Sequence, residues 1–203
     1  MKLKINHIPI FPCILTEVEF SNFNLIKSDL IDWIYHYKKT NLGVQKSNCG
    51  GWQSKDDFYK DISFKPFYSY LIESIKSSLP YKKRFTLQNM WININGNGDR
   101  NEFHNHPGAM LSGVFWIQSN LNSGNIGLQS PLLFTQESLF FYRNEILNQF
   151  NFDGFFGMEP KEGTAIIFPS ELYHYVSSNQ STQDRISISF NFTINQNFYG
   201  EPT

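Results

Sequence analysis

Residues 102–116 read EFHNHPGAMLSGVFW, with two histidines one residue apart leading into an apolar run. Side chains at i and i+2 of an extended strand point the same way, so His104 and His106 can face one metal ion. Pro107 supports that geometry, because the residue before a proline is driven toward extended conformations. A third histidine, His174, closes IIFPSELYH on another predicted strand, and Arg185 and Ser187 follow on one face of RISISFNFTI. Redox-active Fe(II) needs three facial protein ligands and open positions for a co-substrate and dioxygen. If 2-oxoglutarate is that co-substrate, its keto-acid end chelates the iron and its far carboxylate needs a cation. The Arg185 guanidinium offers a bidentate fork for that carboxylate, and the Ser187 hydroxyl a further hydrogen bond. The parts point to this chemistry as an ordered set rather than singly.

A scaffold of helices followed by strands is predicted to carry these residues. The first twenty residues read as extended. From Asn24 onward Ile26, Leu30, Ile34 and Tyr37 recur at helical spacing, closed by Lys38 and Lys39. A second helix is predicted to start near Lys55–Asp57 and to resume after Pro66, which breaks or kinks it, with Phe67, Leu71 and Ile75 on one face. Beyond Pro80 the period becomes two. Met90, Ile92 and Ile94 alternate with Trp91, Asn93 and Asn95, and LSGVFWIQ (111–118) and GTAIIFPS (163–170) read as further strands. In the last strand Arg185, Ser187, Ser189, Asn191 and Thr193 oppose Ile186, Ile188, Phe190, Phe192 and Ile194. The order predicts an α+β fold, mainly β with flanking helices, its antiparallel sheet closed or sandwiched.

Composition narrows the function classes. Hydrophobic residues make up 40% of the 203 and charged residues 17%, a globular balance long enough for one substantial core. The 20 Phe suggest a core or cleft built from rings. Lys+Arg 17 against Asp+Glu 18 gives net charge -1, with no electrostatic footprint for nucleic acid or an anionic membrane. No apolar run approaches a membrane span. The start, MKLKINHIPIFPC, is interrupted by His7, Pro9 and Pro12 and does not resemble a signal peptide. Cys13 and Cys49 have no metal-type spacing, so a reduced, cytoplasmic protein is expected, in which the Asn-X-Thr at Asn191 has no glycosylation role. There is no phosphate-cradling loop and no Ser–His–Asp order.

GWQS at 51–54, MWININGNGDRNEFHNHPGAMLSGVFW at 90–116, GTAIIFPSELYH at 163–174 and RISISFNF at 185–192 together resemble a known family. It is that of the 2-oxoglutarate/Fe(II)-dependent oxygenases of bacteria and phages that carry an H-x-H-P motif, within the prolyl-hydroxylase-like superfamily. The resemblance implies a double-stranded β-helix, a cupin-like jelly-roll barrel, with residues 1–80 as helical support and 81–203 as the barrel core of a single domain. It implies a dioxygenase that hydroxylates a small-molecule or peptide substrate and releases succinate and CO2. Fe(II) would be held by His104, His106 and His174, and 2-oxoglutarate by Arg185 and Ser187 with Asn93 and Asn95. Ser112, Trp116 and Asn191 would line the site. No partner beyond the substrate is implied, apart from a homodimer as one assembly to test.

The departure from the wider superfamily is the carboxylate missing from H-x-D/E. His106 replaces it, giving a three-His site like those of thiol dioxygenases, or Glu102 supplies the acidic ligand, or the position is open as in chloride-binding halogenases. Plainer roles stand beside several of these residues. Arg185 could pair with Asp184, Asn93 and Asn95 could mark a turn, and Trp91 and Trp116 could be core or cleft wall. Trp52, Gln53 and Ser54 match the family without a mechanistic role. The competing functions are a cupin-like three-His dioxygenase that does not use 2-oxoglutarate, and a non-catalytic jelly-roll binding module. Specificity is expected in residues 119–160, which carry Phe134, Phe140, Phe141, Tyr142, Phe155 and Phe156.

Overall fold

The computed structural model describes residues 13–79, 85–131 and 154–194. The chain forms β1 (Thr16–Glu19), a short 3-10 turn, α1 (Lys27–Thr40), β2 (Asn48–Cys49) and β3 (Trp52–Gln53). A second 3-10 turn (Phe58–Lys60) leads to α2 (Lys65–Ser78), followed by β4 (Phe85–Asn95), β5 (Arg100–His104), β6 (Leu111–Gln118) and β7 (Ile126–Gln129). The remaining strands are β8 (Phe155–Met158), β9 (Thr164–Pro169), β10 (His174–Val176) and β11 (Arg185–Ile194). They make two antiparallel sheets, ordered β1-β9-β6-β11-β4-β3 and β2-β5-β10-β7-β8. Trp116, Ile166 and Phe168 of the larger sheet pack against Ile126, Leu128 and Leu172 on the smaller side. This is the expected double-stranded β-helix.

The helices cover the outside of the larger sheet. Leu30 and Ile34 of α1 and Leu71, Ile72 and Ile75 of α2 are buried against Ile92, Ile94, Ile186, Ile188 and Phe190. Each such aliphatic side chain contributes about 1.5–3 kcal/mol by leaving water. The many phenylalanines do build this core: Phe115 meets the rings of Phe20 and Phe23 edge-on, both at 5.1 Å. Pro66 corrects the expectation of a broken helix. It lies in the first turn of α2, where its missing N–H would have had no helical partner, so it starts the helix, and residues 58–60 make only a 3-10 turn.

The GWQS stretch has a structural role. Trp52 and Gln53 pair with Ile94 and Asn93 at the edge of β4, and Ser54 continues the pairing. The Ile92 amide donates to Ser54 Oγ (2.9 Å) and the Ser54 amide to the Ile92 carbonyl (3.0 Å). Gly51 turns the chain into this edge at φ 67°, and a Cβ there would stand 2.6 Å from the Ile94 carbonyl oxygen.

The inner face of β4 and β11 is unusual. Asn93, Asn95, Arg185, Ser187 and Asn191 occupy it, and all are buried. A polar sheet face ordinarily meets water. This one meets the second sheet, and the space between them is a cavity.

Cys13 and Cys49 are both free. Among the described residues no helix is long and apolar enough to cross a membrane. Of the aromatics expected at the mouth, Phe134, Phe140, Phe141 and Tyr142 lie outside the described residues, and so does His7. Phe155 and Phe156 stand exposed on β8.

Candidate active site

His104 ends β5, His174 begins β10, and the two are directly paired across the smaller sheet. His106 lies past the strand end, held there by its backbone amide donating to the Ser170 carbonyl at 3.1 Å. The i, i+2 spacing therefore works, although the second histidine is placed by a turn and not by the strand itself. One nitrogen of each of the three rings lies within 4.8 Å of the others, with His104 and His106 half-buried and His174 buried.

Hydrogen bonding decides which nitrogens face inward. His104 Nδ1 lies 2.6 Å from the Glu102 carbonyl oxygen, and His174 Nδ1 lies 2.9 Å from that of Leu172. A carbonyl oxygen only accepts, so both Nδ1 atoms are the protonated ones and each Nε2 keeps its lone pair. Charge is disfavoured throughout the trio. Burial, then the neighbouring His174 and His104, pushes the His106 ring down to about 3. Burial also takes His174 down to about 4, with His104 adding to the shift, and it lowers His104 as well. Three neutral imidazoles with converging lone pairs make a donor set for a divalent transition metal.

Arg185 and Ser187 line the same cavity as the histidines. Arg185 is 2% exposed, and its Nη1 donates to the carbonyls of Ser123 and Ser177. Its Nη2 is buried with no acceptor among the described residues. Burial draws the guanidinium down to about 10, still well above neutrality, so it stays a cation. The pairing with Asp184 does not occur. Asp184 accepts from Tyr35 Oη at 2.8 Å, and Arg185 makes no ion pair among the described residues.

The structure sorts the remaining expected residues. Asn93 lines the cavity, donating to Ser189 Oγ at 3.1 Å and leaving its Oδ1 unpartnered. Asn95 is buried opposite Arg185 but does not line the cavity; its amide lies under the Gly51 turn. Ser112 and Trp116 line it. Asn191 sits behind Ser112, whose hydroxyl donates to Asn191 Oδ1 at 2.7 Å.

Glu102 does not join the three histidines; its carboxylate is exposed and holds Arg100 at 2.7 Å. The cause is a β-bulge. His174 pairs with His104 but Val176 with Asn101, so two residues on β10 span three on β5 and the alternation breaks at Glu102 and Phe103. The same bulge turns Asn101, which the period-two reading passes over, toward the cavity. Ser189 also lines it, and its place on the Arg185–Ser187 face was the signal that could have found it. Ile126 and Val176 come from strands of only 4 and 3 residues, too short for a periodic pattern to show.

Residues 89–191, about half of the chain, match a family model described as "Putative 2OG-Fe(II) oxygenase". The fold is similar to a Pseudomonas putida prolyl-4-hydroxylase at TM-score 0.60 and 13% identity, covering 89% of this chain and 92% of that one. It is also similar to the viral collagen prolyl hydroxylase of Paramecium bursaria Chlorella virus-1, solved as a 2-oxoglutarate complex (TM-score 0.54, 10% identity, 88% and 94% covered). A third likeness is to HygX of Streptomyces hygroscopicus, with nickel and 2-oxoglutarate bound (TM-score 0.57, 8% identity, 88% and 82% covered). At such identities the likeness is one of fold. No curated protein sequence matches the chain. With the jelly-roll barrel in place and the matched stretch running from Asn89 through all three histidines and Arg185, this chain belongs to the 2OG-Fe(II) oxygenase family, enzymes that use Fe(II) and 2-oxoglutarate.

Proposed function

We propose that His104, His106 and His174 hold the enzyme's Fe(II), that Arg185 with Ser187 anchors 2-oxoglutarate, and that the reaction is hydroxylation of a small molecule or peptide. The residues fit both groups. Three neutral nitrogens converge at one place, which suits Fe(II). A buried guanidinium has a free Nη2, which a carboxylate satisfies. When bound, Fe(II) and 2-oxoglutarate supply, with dioxygen, the oxidation of a substrate and the release of succinate and CO2.

The chain's own part is positional. The Glu102 and Leu172 carbonyls fix the tautomer and stop the His104 and His174 rings from turning. The Ser123 and Ser177 carbonyls hold one nitrogen of Arg185 and leave the other for the co-substrate. Asn93 presents an unpartnered amide oxygen beside Ser187, to which it is paired in register. Val114, Trp116, Ile126 and Phe168 form apolar walls that limit water around the reacting groups. The free Cys13 and Cys49 support a cytoplasmic setting.

One observation carries the reading: a buried cation with one nitrogen lacking an acceptor among the described residues shares a cavity with three converging neutral histidines. Anaerobic addition of Fe(II) and 2-oxoglutarate to the metal-free protein tests it. Visible charge-transfer absorption is the expected result. Failure to develop it, together with unchanged 2-oxoglutarate binding in Arg185→Ala, would overturn the proposal. Full turnover without 2-oxoglutarate would favour a three-His dioxygenase of another type.

A further inference from the structure

None of the side chains lining the cavity, among the described residues, is an acid. The acid that acts on Arg185 through space is Asp99. It is half-buried and lies outside the cavity, its carboxylate taken up by the Gly96 amide at 2.7 Å and set against Gly50. The other nearby acid, Glu102, is exposed and neutralised by Arg100. The described residues therefore supply one positive charge to this cavity, at Arg185, and no formal negative charge. As metal ligands the three histidines each offer a neutral nitrogen lone pair and so add no charge. Fe(II) adds two positive charges and 2-oxoglutarate removes two. Among these groups one positive charge is left without a partner inside a largely buried space, where it is poorly screened. A ligand set containing one carboxylate would leave none.

We infer that the site takes a second, compact monoanion beside 2-oxoglutarate, either a free ion or a carboxylate carried by the substrate. The inference rests on the metal and co-substrate reading above. It makes charge, in addition to shape, a determinant of what enters. A substrate bearing a carboxylate brings the missing charge with it, and a neutral substrate needs a small ion to accompany it. The polar wall can receive such a group. Ser189 and Asn101 line the cavity beside Asn93, and none of the three carries charge that would repel an anion.

The test is an anaerobic titration of the Fe(II)–2-oxoglutarate protein with formate, chloride and azide as separate probes at constant ionic strength. The position of the charge-transfer band is the readout. A saturable shift with at least one probe is expected in the wild-type chain. Ser189→Asp puts a negative charge on the cavity wall without altering a proposed iron ligand or the Arg185 anchor, and should weaken that binding at least tenfold. His106→Asp restores the carboxylate at the ligand position and should act in the same direction, which gives a second variant if Ser189→Asp fails to fold.

Formate binding tenfold or more tighter than chloride assigns the anion to a substrate carboxylate. Any smaller preference, or the reverse order, assigns it to a free ion, and both outcomes support the inference. A normal 2-oxoglutarate band that no probe shifts overturns it while leaving the metal-site reading intact. So does equal anion affinity in the wild type and in a folded variant. If no band forms at all, the metal-site reading falls and this inference falls with it.

Discussion

His106 is grouped with His104 and His174, and is proposed to take the place of an iron-binding carboxylate, while Glu102 is turned to solvent against Arg100. The two rivals separate by direct measurement. His106→Ala is expected to weaken Fe(II) binding by anaerobic calorimetry at least 100-fold, beyond the roughly 10–100-fold typical of a group that only orients a ligand. Glu102→Gln should leave it within about twofold, because its contact with His104 is through the backbone carbonyl, which Gln retains. Arg185 makes a separate, pH-resolved prediction. Its guanidinium loses its proton as pH rises through about 10, so 2-oxoglutarate affinity should be flat from neutrality upward and fall as that value is crossed. Arg185→Gln should remove most 2-oxoglutarate affinity at every pH while sparing Fe(II) binding. A fall in affinity centred near pH 8 would show that some other group is the anchor.

At the scale of elements, the Phe190 ring of β11 lies close over β6 in the core beneath the helices, and Gly113 permits it. A Cβ there would sit 2.4 Å from the Phe190 ring and 2.7 Å from the Ile166 carbonyl oxygen. Gly113→Ala should cost about 1–3 kcal/mol by overpacking, seen as a Tm lower by roughly 2–10 °C for a chain of this size. Gly157→Ala is the control, since its Cβ would meet nothing within 4 Å. It should stay within about 0.5 kcal/mol of wild type.

A chain of polar contacts also ties the strands to the His106 turn. Asn191 Nδ2 donates to Asn89 Oδ1 (2.8 Å), Ser112 Oγ bonds to Asn191 Oδ1 (2.7 Å) and lies 2.9 Å from Ser170 Oγ, and the Ser170 carbonyl accepts the His106 amide (3.1 Å). Asn191→Leu removes the partner of buried Ser112 and of half-buried Asn89 and should cost about 1–3 kcal/mol in chemical denaturation. It should also weaken Fe(II) binding, an effect that a purely local packing loss would not produce. How much of this was legible is uneven. β4, β6, β9 and β11 are long enough for their alternation to declare them, whereas β7, β8 and β10, of 4, 4 and 3 residues, have no period to read. The bulge in β5 depends on a strand partner far away in sequence, so Glu102 and Asn101 could not be assigned a side beforehand.

For the whole molecule, the jelly roll separates two jobs. The outer face of the larger sheet buries apolar residues under the helices, and the inner face gives up apolar packing for a polar, cationic cavity. Buried polar atoms without partners among the described residues, including Arg185 Nη2 and Asn93 Oδ1, lower the stability of the ligand-free protein. Ligands that satisfy them should raise stability in proportion. At about 100 times Kd, each of Fe(II) and 2-oxoglutarate should add about 2.7 kcal/mol. Thermal melts should show both increments in the wild type and only the metal increment in Arg185→Gln. An equal 2-oxoglutarate increment in that variant would contradict the proposed anchor.

From the sequence alone the donor types, their order along the chain and the alternation of the long strands could be read, because these depend on side-chain chemistry and local period. That was enough to expect a closed or sandwiched antiparallel sheet and to name His104, His106, His174, Arg185 and Ser187; the jelly roll itself was what the family resemblance implied. Only the tertiary structure decided which face of β4 and β11 is inside, since alternation is the same whether the polar side meets water or a second sheet. It also decided that Glu102 turns out, Asn101 turns in and Asn95 lies beneath a turn, because each depends on pairing between distant strands. The convergence of three imidazoles within 4.8 Å belongs to the same class. It comes from β5 and β10 lying side by side, a contact that no local spacing encodes.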